Sequence, residues 1–250
     1  MKGDQLTRLN TMLLTMILCL TTVLIFSVFL YMPRKALAQP SGANITEIQS
    51  SRRQNPAPQT LEVQAGNVTE VNIYAVSITN SWSGVYGNVT GVLILADSNN
   101  NTFYDWTVAS PQGEVYASRT SSIDWANVRC ANATEIADEN ANLNMGSYAD
   151  NITNTFNKQN HPSFYVGSVG IAANTCKSTN AYNASGSQDT LFYNILLSDG
   201  SGNIIYTSIL EQDAEGFDSR THDFELLLGE DGHGAAAGTT TTYYFWVEIE

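Results

Sequence analysis

Leu191-Phe192-Tyr193-Asn194-Ile195-Leu196-Leu197, then Ser198-Asp199-Gly200-Ser201-Gly202-Asn203, then Ile204-Ile205-Tyr206-Thr207-Ser208-Ile209-Leu210 is the stretch that decides the fold class. Two apolar runs rich in β-branched and aromatic residues flank a polar, glycine-containing turn, which is a hairpin signal. The signal recurs outward in both directions. Towards the C-terminus, Phe224–Leu228 and Tyr243–Ile249 read as strands separated by the Gly-rich loop Gly229–Gly238. Towards the N-terminus, Phe164-Tyr165-Val166 precedes the Gly167–Gly170 stretch. Further back, Val89, Gly91, Leu93 and Leu95 share one face, and Asp97-Ser98-Asn99-Asn100-Asn101 is a turn. Thr102–Val108 and Glu114–Ala117 follow as strands about Ser110–Gly113, so this block predicts a three-stranded meander. Leu61–Ile78 alternates (Leu61, Val63, Ala65, then Val71, Ile73, Ala75) about Ala65-Gly66-Asn67 and predicts one more hairpin.

Ser121–Asn144 breaks this pattern. Ser121-Ser122-Ile123-Asp124 has the form of a helix start, and Thr134-Glu135-Ile136-Ala137 begins a second, with Ile136 and Leu143 placed to share a face. Eight or more short strands with regular turns predict a mainly β protein, an antiparallel β-sandwich of jelly-roll-like or Ig-like form with a short helical excursion. The predicted domain is single and covers 60–250.

A different kind of segment precedes it. Met12–Met32 is a run of 21 uncharged residues, enough for a helix of about 30 Å to span a hydrocarbon core. Pro33-Arg34-Lys35 ends it, and Ala36-Leu37-Ala38 has the small-x-small form of a signal-peptidase site. Residues 1–38 are therefore expected to be a cleaved signal peptide or a retained signal-anchor. The length of the run favours the anchor, while Arg34, Lys35, Arg52 and Arg53 oppose an outward-facing one. Residues 39–59, with Pro40, Pro56, Pro58 and Gly42, read as a linker or stalk.

Composition bounds the function. The 250-residue chain carries a formal charge of −13, with 14% charged and 43% hydrophobic residues. Such a charge repels phosphate backbones, so nucleic acid is not an expected partner. Three cysteines cannot build a four-Cys metal site. Cys19 lies in the apolar run, leaving Cys130 and Cys176 as the pair expected to form a disulfide in an oxidising compartment. Seven Asn-x-Ser/Thr sequons, at Asn44, Asn67, Asn88, Asn100, Asn132, Asn151 and Asn183, all follow the apolar run and mark expected glycosylation of an exported chain. The expected location is extracellular or at the cell surface, secreted or membrane-anchored.

Signatures of chemistry are sparse. Asp97, Asn99 and Asn101 match the first ligand positions of a calcium loop, but Thr102 and Val108 stand where an EF-hand needs Gly and Glu. A looser Ca²⁺ site with Asp105 is the one metal reading the pattern allows, and no other cofactor is expected. His161, His222 and His233 match no metal spacing, and neither a Gly-x-Ser-x-Gly elbow nor a phosphate loop occurs. Glu211, Asp213, Glu215, Asp218, Asp223 and Glu225 form an acidic run that reads as a solvated face or, less simply, as a source of two catalytic carboxylates. Trp82, Trp106, Trp125 and Trp246 either fill a core or offer a sugar-stacking surface. Tyr243, Tyr244, Phe245, Trp246 and Val247 form a final strand that, left unpaired, would be an association edge.

Trp82-Ser83-Gly84-Val85-Tyr86-Gly87-Asn88-Val89-Thr90-Gly91, Tyr104-Asp105-Trp106, Asp124-Trp125 with Cys130, Asp223-Phe224 and Tyr243-Tyr244-Phe245-Trp246 resemble elements of archaeal-type exported, N-glycosylated cell-surface β-sandwich proteins. More broadly the chain resembles sequon-rich surface filament subunits that polymerise by strand exchange, although Pro33 departs from a type IV pilin start. The resemblance implies no known activity. The expected function is that of a non-enzymatic structural protein of a surface layer or filament. Alternatives are a monomeric surface module binding glycans or a partner protein, and an extracellular hydrolase. Expected partners are further copies or other surface proteins, glycans, and the membrane through the N-terminal helix where that is uncleaved.

Overall fold

The computed structural model describes residues 39–108, 112–233 and 240–249. Its strands, in chain order, are β1 (Ser41–Gly42), β2 (Trp82–Gly87), β3 (Gly91–Ala96), β4 (Thr102–Val108), β5 (Gly113–Ser118), β6 (Arg129–Cys130), β7 (Phe164–Val166), β8 (Val169–Ile171), β9 (Ser178–Tyr182), β10 (Gln188–Ser198), β11 (Ile204–Ile209), β12 (Ala214–Glu215), β13 (Thr221–His222), β14 (Phe224–Gly229) and β15 (Tyr244–Ile249). Helices α1 (Ala133–Asn142) and α2 (Ile152–Thr155) lie between β6 and β7. The protein is mainly β, its sheets antiparallel.

Seven strands form the principal sheet in the order β1-β15-β5-β11-β10-β6, with β9 also paired to β10. The Leu191–Leu210 hairpin is its centre, in register from Asn194↔Ser208 to Ser198↔Ile204. Asp199 shapes the turn by accepting the N–H groups of Ser201 (2.8 Å) and Asn203 (3.2 Å).

Successive side chains of a strand project to opposite faces, and here both faces are covered. On one side Val115, Ala117, Leu196, Ile204 and Tyr206 pack with Ile136, Leu143, Ile152, Phe156, Leu226 and Leu228. On the other, Tyr116, Ile195, Leu197 and Ile205 pack with Val128, Phe164, Val166 and Ile171. The first face is thus covered by α1, α2 and the two-stranded ribbon β14–β2, and the second by the β7–β8 hairpin and the chain around Val128. The ribbon and helices lie on one face of the principal sheet, and further chain lies on the other. The reason lies in the central strands, which are apolar at both parities and so must be covered twice.

Helix α1 begins where Asn132 Oδ1 accepts the Glu135 N–H (3.0 Å) and the Glu135 carboxylate accepts the Asn132 N–H (2.8 Å), a reciprocal cap. Glu135 also accepts from Arg129 (2.7 Å) and the Ser198 hydroxyl (2.7 Å), so the cap ties the helix to β6 and β10. Burial alone would raise the Glu135 carboxyl. The Asn132 N–H, the Ser198 hydroxyl and the Arg129 guanidinium outweigh it and hold the group below its ordinary range. The helix expected from Ser121–Asp124 is only the 3-10 turn Trp125–Asn127, capped by Asp124.

Three expectations are corrected. No strand forms over 61–78, where Val63, Val68, Ile73 and Tyr74 are exposed, because alternation without a partner strand stabilises nothing. The meander does not form: β3 and β4 pair only with each other, while β5 joins the principal sheet between β15 and β11. Ser41–Gly42, placed in the linker, is instead strand β1 against β15.

Candidate functional site

Cys130 and Cys176 are bonded, with Cα atoms 4.9 Å apart. Beside this link lies His161, which is buried. Its Nδ1 donates to the Pro162 carbonyl (2.8 Å), and its Nε2 accepts the N–H groups of Thr175 (3.2 Å) and Cys176 (2.9 Å). That pattern requires the neutral imidazole, since a proton on Nε2 would confront two donors. Burial lowers its pKa from 6.5, against the Pro162 carbonyl, which favours the charged form. A depressed folded value means the contribution is complete above the unfolded pKa and is lost as pH falls through the folded one. Thermal unfolding from pH 8 to pH 4 is therefore expected to show a falling Tm whose steepness is reduced in His161→Ala. Equal slopes for the two proteins would refute this role.

The acidic run is drawn into local structure. Asp223 accepts from the N–H groups of Val89 (2.7 Å) and Asp213 (3.1 Å), and Glu225 accepts from that of Phe217 (2.9 Å). Asp218 accepts from Arg220 (2.6 Å) and pairs with His222 (2.9 Å). Its pKa lies at about 2: burial raises it, but Arg220 and His222 lower it further. Burial raises Glu211 and Glu225, and the charge of Asp189 adds to both. No cleft with two convergent carboxylates emerges from these contacts. His233 instead pairs with Asp150 (2.8 Å) while stacking on Tyr148 at 3.6 Å.

Two carboxylates do meet, at a place the sequence reading passed over. Glu114 of β5 lies directly opposite Glu248 of β15, and both are buried. The Tyr116 hydroxyl lies within hydrogen-bond distance of both, at 3.2 and 3.1 Å, with one proton to share between them, and the Gly167 N–H donates to Glu248 at 3.0 Å. Burial, with the charges of Glu114 and Glu248, raises the Tyr116 pKa well above its ordinary value. The available signal was acid placed inside apolar strands, Glu114-Val115-Tyr116 and Val247-Glu248-Ile249. At 5% and 1% exposure both carboxylates lie inside the sheet, with the Tyr116 hydroxyl between them.

Asp97, Asn99 and Asn101 of the calcium reading bond to one another at the hairpin tip. Asp97 Oδ1 accepts from the Asn99 and Asn101 N–H groups (both 2.9 Å) and Oδ2 from the Asn101 amide (2.8 Å), forming an Asx turn. The Asn101 amide, then the two backbone donors, lower the Asp97 pKa. Asp105 sits along β4 opposite Ile94. Among the described residues no group of three or more His, Cys, Asp or Glu could hold a metal. Of the sequons, Asn44, Asn67, Asn88, Asn100 and Asn132 are exposed and Asn183 is half-buried. Asn151 is 8% exposed and donates its amide to the Gly146 carbonyl (3.0 Å), while its Oδ1 caps α2.

The last strand is not an open edge. Tyr244–Ile249 pairs with β5 on one side, and on the other Ser41↔Val247, Gly42↔Trp246 and the bond from Ala43 N–H to Phe245 O (3.1 Å) close it. Trp246 packs on Trp125 at 5.4 Å in the second core, and Trp82 donates to the Asp150 carbonyl (2.6 Å). Only Trp106 of the four is exposed. It belongs to the β3–β4 hairpin, where Val92, Leu93, Ile94, Leu95, Phe103 and Tyr104 are also exposed. No family model matches the chain, and no curated protein or solved structure matches it either. Among the described residues no helix is long and apolar enough to cross a membrane, and Met12–Met32 lies outside them.

Proposed function

We propose that the protein is a non-enzymatic, glycosylated cell-surface structural protein, a surface-layer or filament subunit that assembles through β-edge contacts. The observation that supports this is the way the principal sheet ends. Its outermost strand, Ser41–Gly42, comes from the N-terminal stretch and reaches β2 only through a long exposed segment without strands. An edge closed by a tethered stretch of chain can be closed equally by the same stretch of a neighbouring copy, which converts a monomer into a chain of subunits. The sandwich reading, jelly-roll-like or Ig-like, belongs to this proposal, with the β14–β2 ribbon in the part of the second sheet. The exposed sequons and the disulfide suit an exported location.

The test is a cysteine pair, Ser41→Cys with Val247→Cys, oxidised in native cell envelopes. A ladder of covalent multimers is expected on a non-reducing gel. Exclusively intramolecular bonding, with dispersed particles by electron microscopy, would overturn assembly through this edge and favour a monomeric binding module.

A further inference from the structure

The β3–β4 hairpin is a two-stranded sheet of its own, and its two faces differ. The register Leu93↔Trp106 and Leu95↔Tyr104 places these four residues on one face, with the Tyr104 and Trp106 rings 4.9 Å apart. That face carries no charge. The opposite face holds Asp105 and Thr107 among its apolar residues. Exposures of 45%, 52%, 58% and 51% for Leu93, Leu95, Tyr104 and Trp106 leave an uncharged patch on the order of 400 Å² open. This is about half of the roughly 800 Å² that each partner gives to a stable protein–protein interface.

Where the hairpin is rooted indicates what covers the patch. Its first residue, Gly91, lies so close to the last strand that a Cβ there would fall 2.2 Å from Ile249 Cδ1. The N-terminal chain reaches the domain at the same end of that strand. Ser41 pairs with Val247, and the Gln39 side chain lies against Gly167, whose N–H binds Glu248. Between Met32, where the apolar run ends, and Gln39 the chain can extend at most about 25 Å. Each hairpin strand is itself about 20 Å long.

We infer that the Leu93–Leu95–Tyr104–Trp106 face of the hairpin rests on a lipid surface beside the anchored N-terminus. Leucines flanked by tyrosine and tryptophan are the residues that settle at the boundary between headgroups and acyl chains. The hairpin lies along the surface, because the Asp97–Asn101 turn at its tip is polar and carries the exposed sequon Asn100. The contact rests on retention of Met12–Met32 and is independent of the strand-edge assembly.

The test uses the full chain, synthesised cell-free into phosphatidylcholine vesicles whose acyl chains are brominated near the headgroup. Tryptophan fluorescence is expected to be quenched, and Trp106→Phe is expected to remove more than half of that quenching. Leu93→Ser with Leu95→Ser, two exposed positions, is expected to shift Trp106 emission to the red while the Cys130–Cys176 bond and the circular dichroism persist. Quenching unchanged by Trp106→Phe, or emission that follows protein concentration at fixed lipid, would overturn the proposal, the latter in favour of a contact between copies. Failure of the Ser41–Val247 multimer ladder would leave this result untouched.

Discussion

An Asn194→Leu variant is expected to lose about 4 kcal/mol of stability, although the substitution keeps the number and branching of side-chain heavy atoms and removes no charge. Asn194 is fully buried on β10 and faces the β14 strand. Its amide donates to the carbonyls of Phe192 (3.1 Å) and Glu225 (3.0 Å), and its Oδ1 accepts the Leu227 N–H (2.8 Å). One side chain thus joins the principal sheet to the β14–β2 ribbon. Phe192 has a positive φ of 49°, at the place where the β9–β10 pairing shifts register, so the amide also supports an unusual backbone turn. Leucine leaves the Leu227 N–H buried without its partner, at about 1–3 kcal/mol for such a group, and strips one bond from each carbonyl. Urea unfolding should show a lower midpoint at an unchanged slope. A loss below about 1 kcal/mol would mean that water replaces the amide.

Removing the disulfide by Cys130→Ala with Cys176→Ala is expected to cost a similar amount. The bonded residues are 46 apart in sequence, and cross-linking a loop of that length restricts the unfolded chain by about 4 kcal/mol on the loop-entropy estimate. For a domain of this size each kcal/mol moves Tm by about 2–4 °C, so a fall of about 8–16 °C is expected in calorimetry. The bond fastens β6, on the edge of the sheet, to the segment entering β9. His161 holds the same segment through the Thr175 and Cys176 N–H groups. The variant is therefore expected to keep its local geometry while the whole domain melts earlier. A Tm within about 2 °C of the parent would show that the unfolded chain is already confined near these cysteines.

Strands whose neighbours lie close in sequence were legible. The Asp199–Asn203 turn between two apolar runs specified β10 and β11, and TFYDWTV with the Asp97–Asn101 turn specified β4 and its pairing with β3. Helix α1 was legible through Thr134–Ala137, and Ile136 and Leu143 do share the core. What remained hidden is non-local. Nothing near Glu114–Ala117 announces that its partners are β11 and β15, far along the chain, because pairing is decided by which faces must be covered. Leu61–Ile78 shows the converse: period-two alternation with no face to cover.

The sites divide in the same way. The pairing of Cys130 with Cys176 was legible once Cys19 was placed in the apolar run and an oxidising compartment was expected. The contacts of His161 and Asn194 could not be read, because each depends on backbone groups brought in from other segments. The acidic run misled through adjacency, since charges near one another in sequence reach different backbone donors once folded.

The two helix caps differ in what they leave open to modification. At Asn132 the cap uses Oδ1, and the residue is exposed. At Asn151 the amide nitrogen is bound to the Gly146 carbonyl in a buried position, so the folded domain withholds the one atom a sugar could join. A glycan at Asn151 would therefore record transfer onto a chain that had not yet folded. On the export and glycosylation proposed above, an unmodified Asn151 beside a modified Asn132 would record the opposite order, and the ratio of the two occupancies would be a clock for folding against modification.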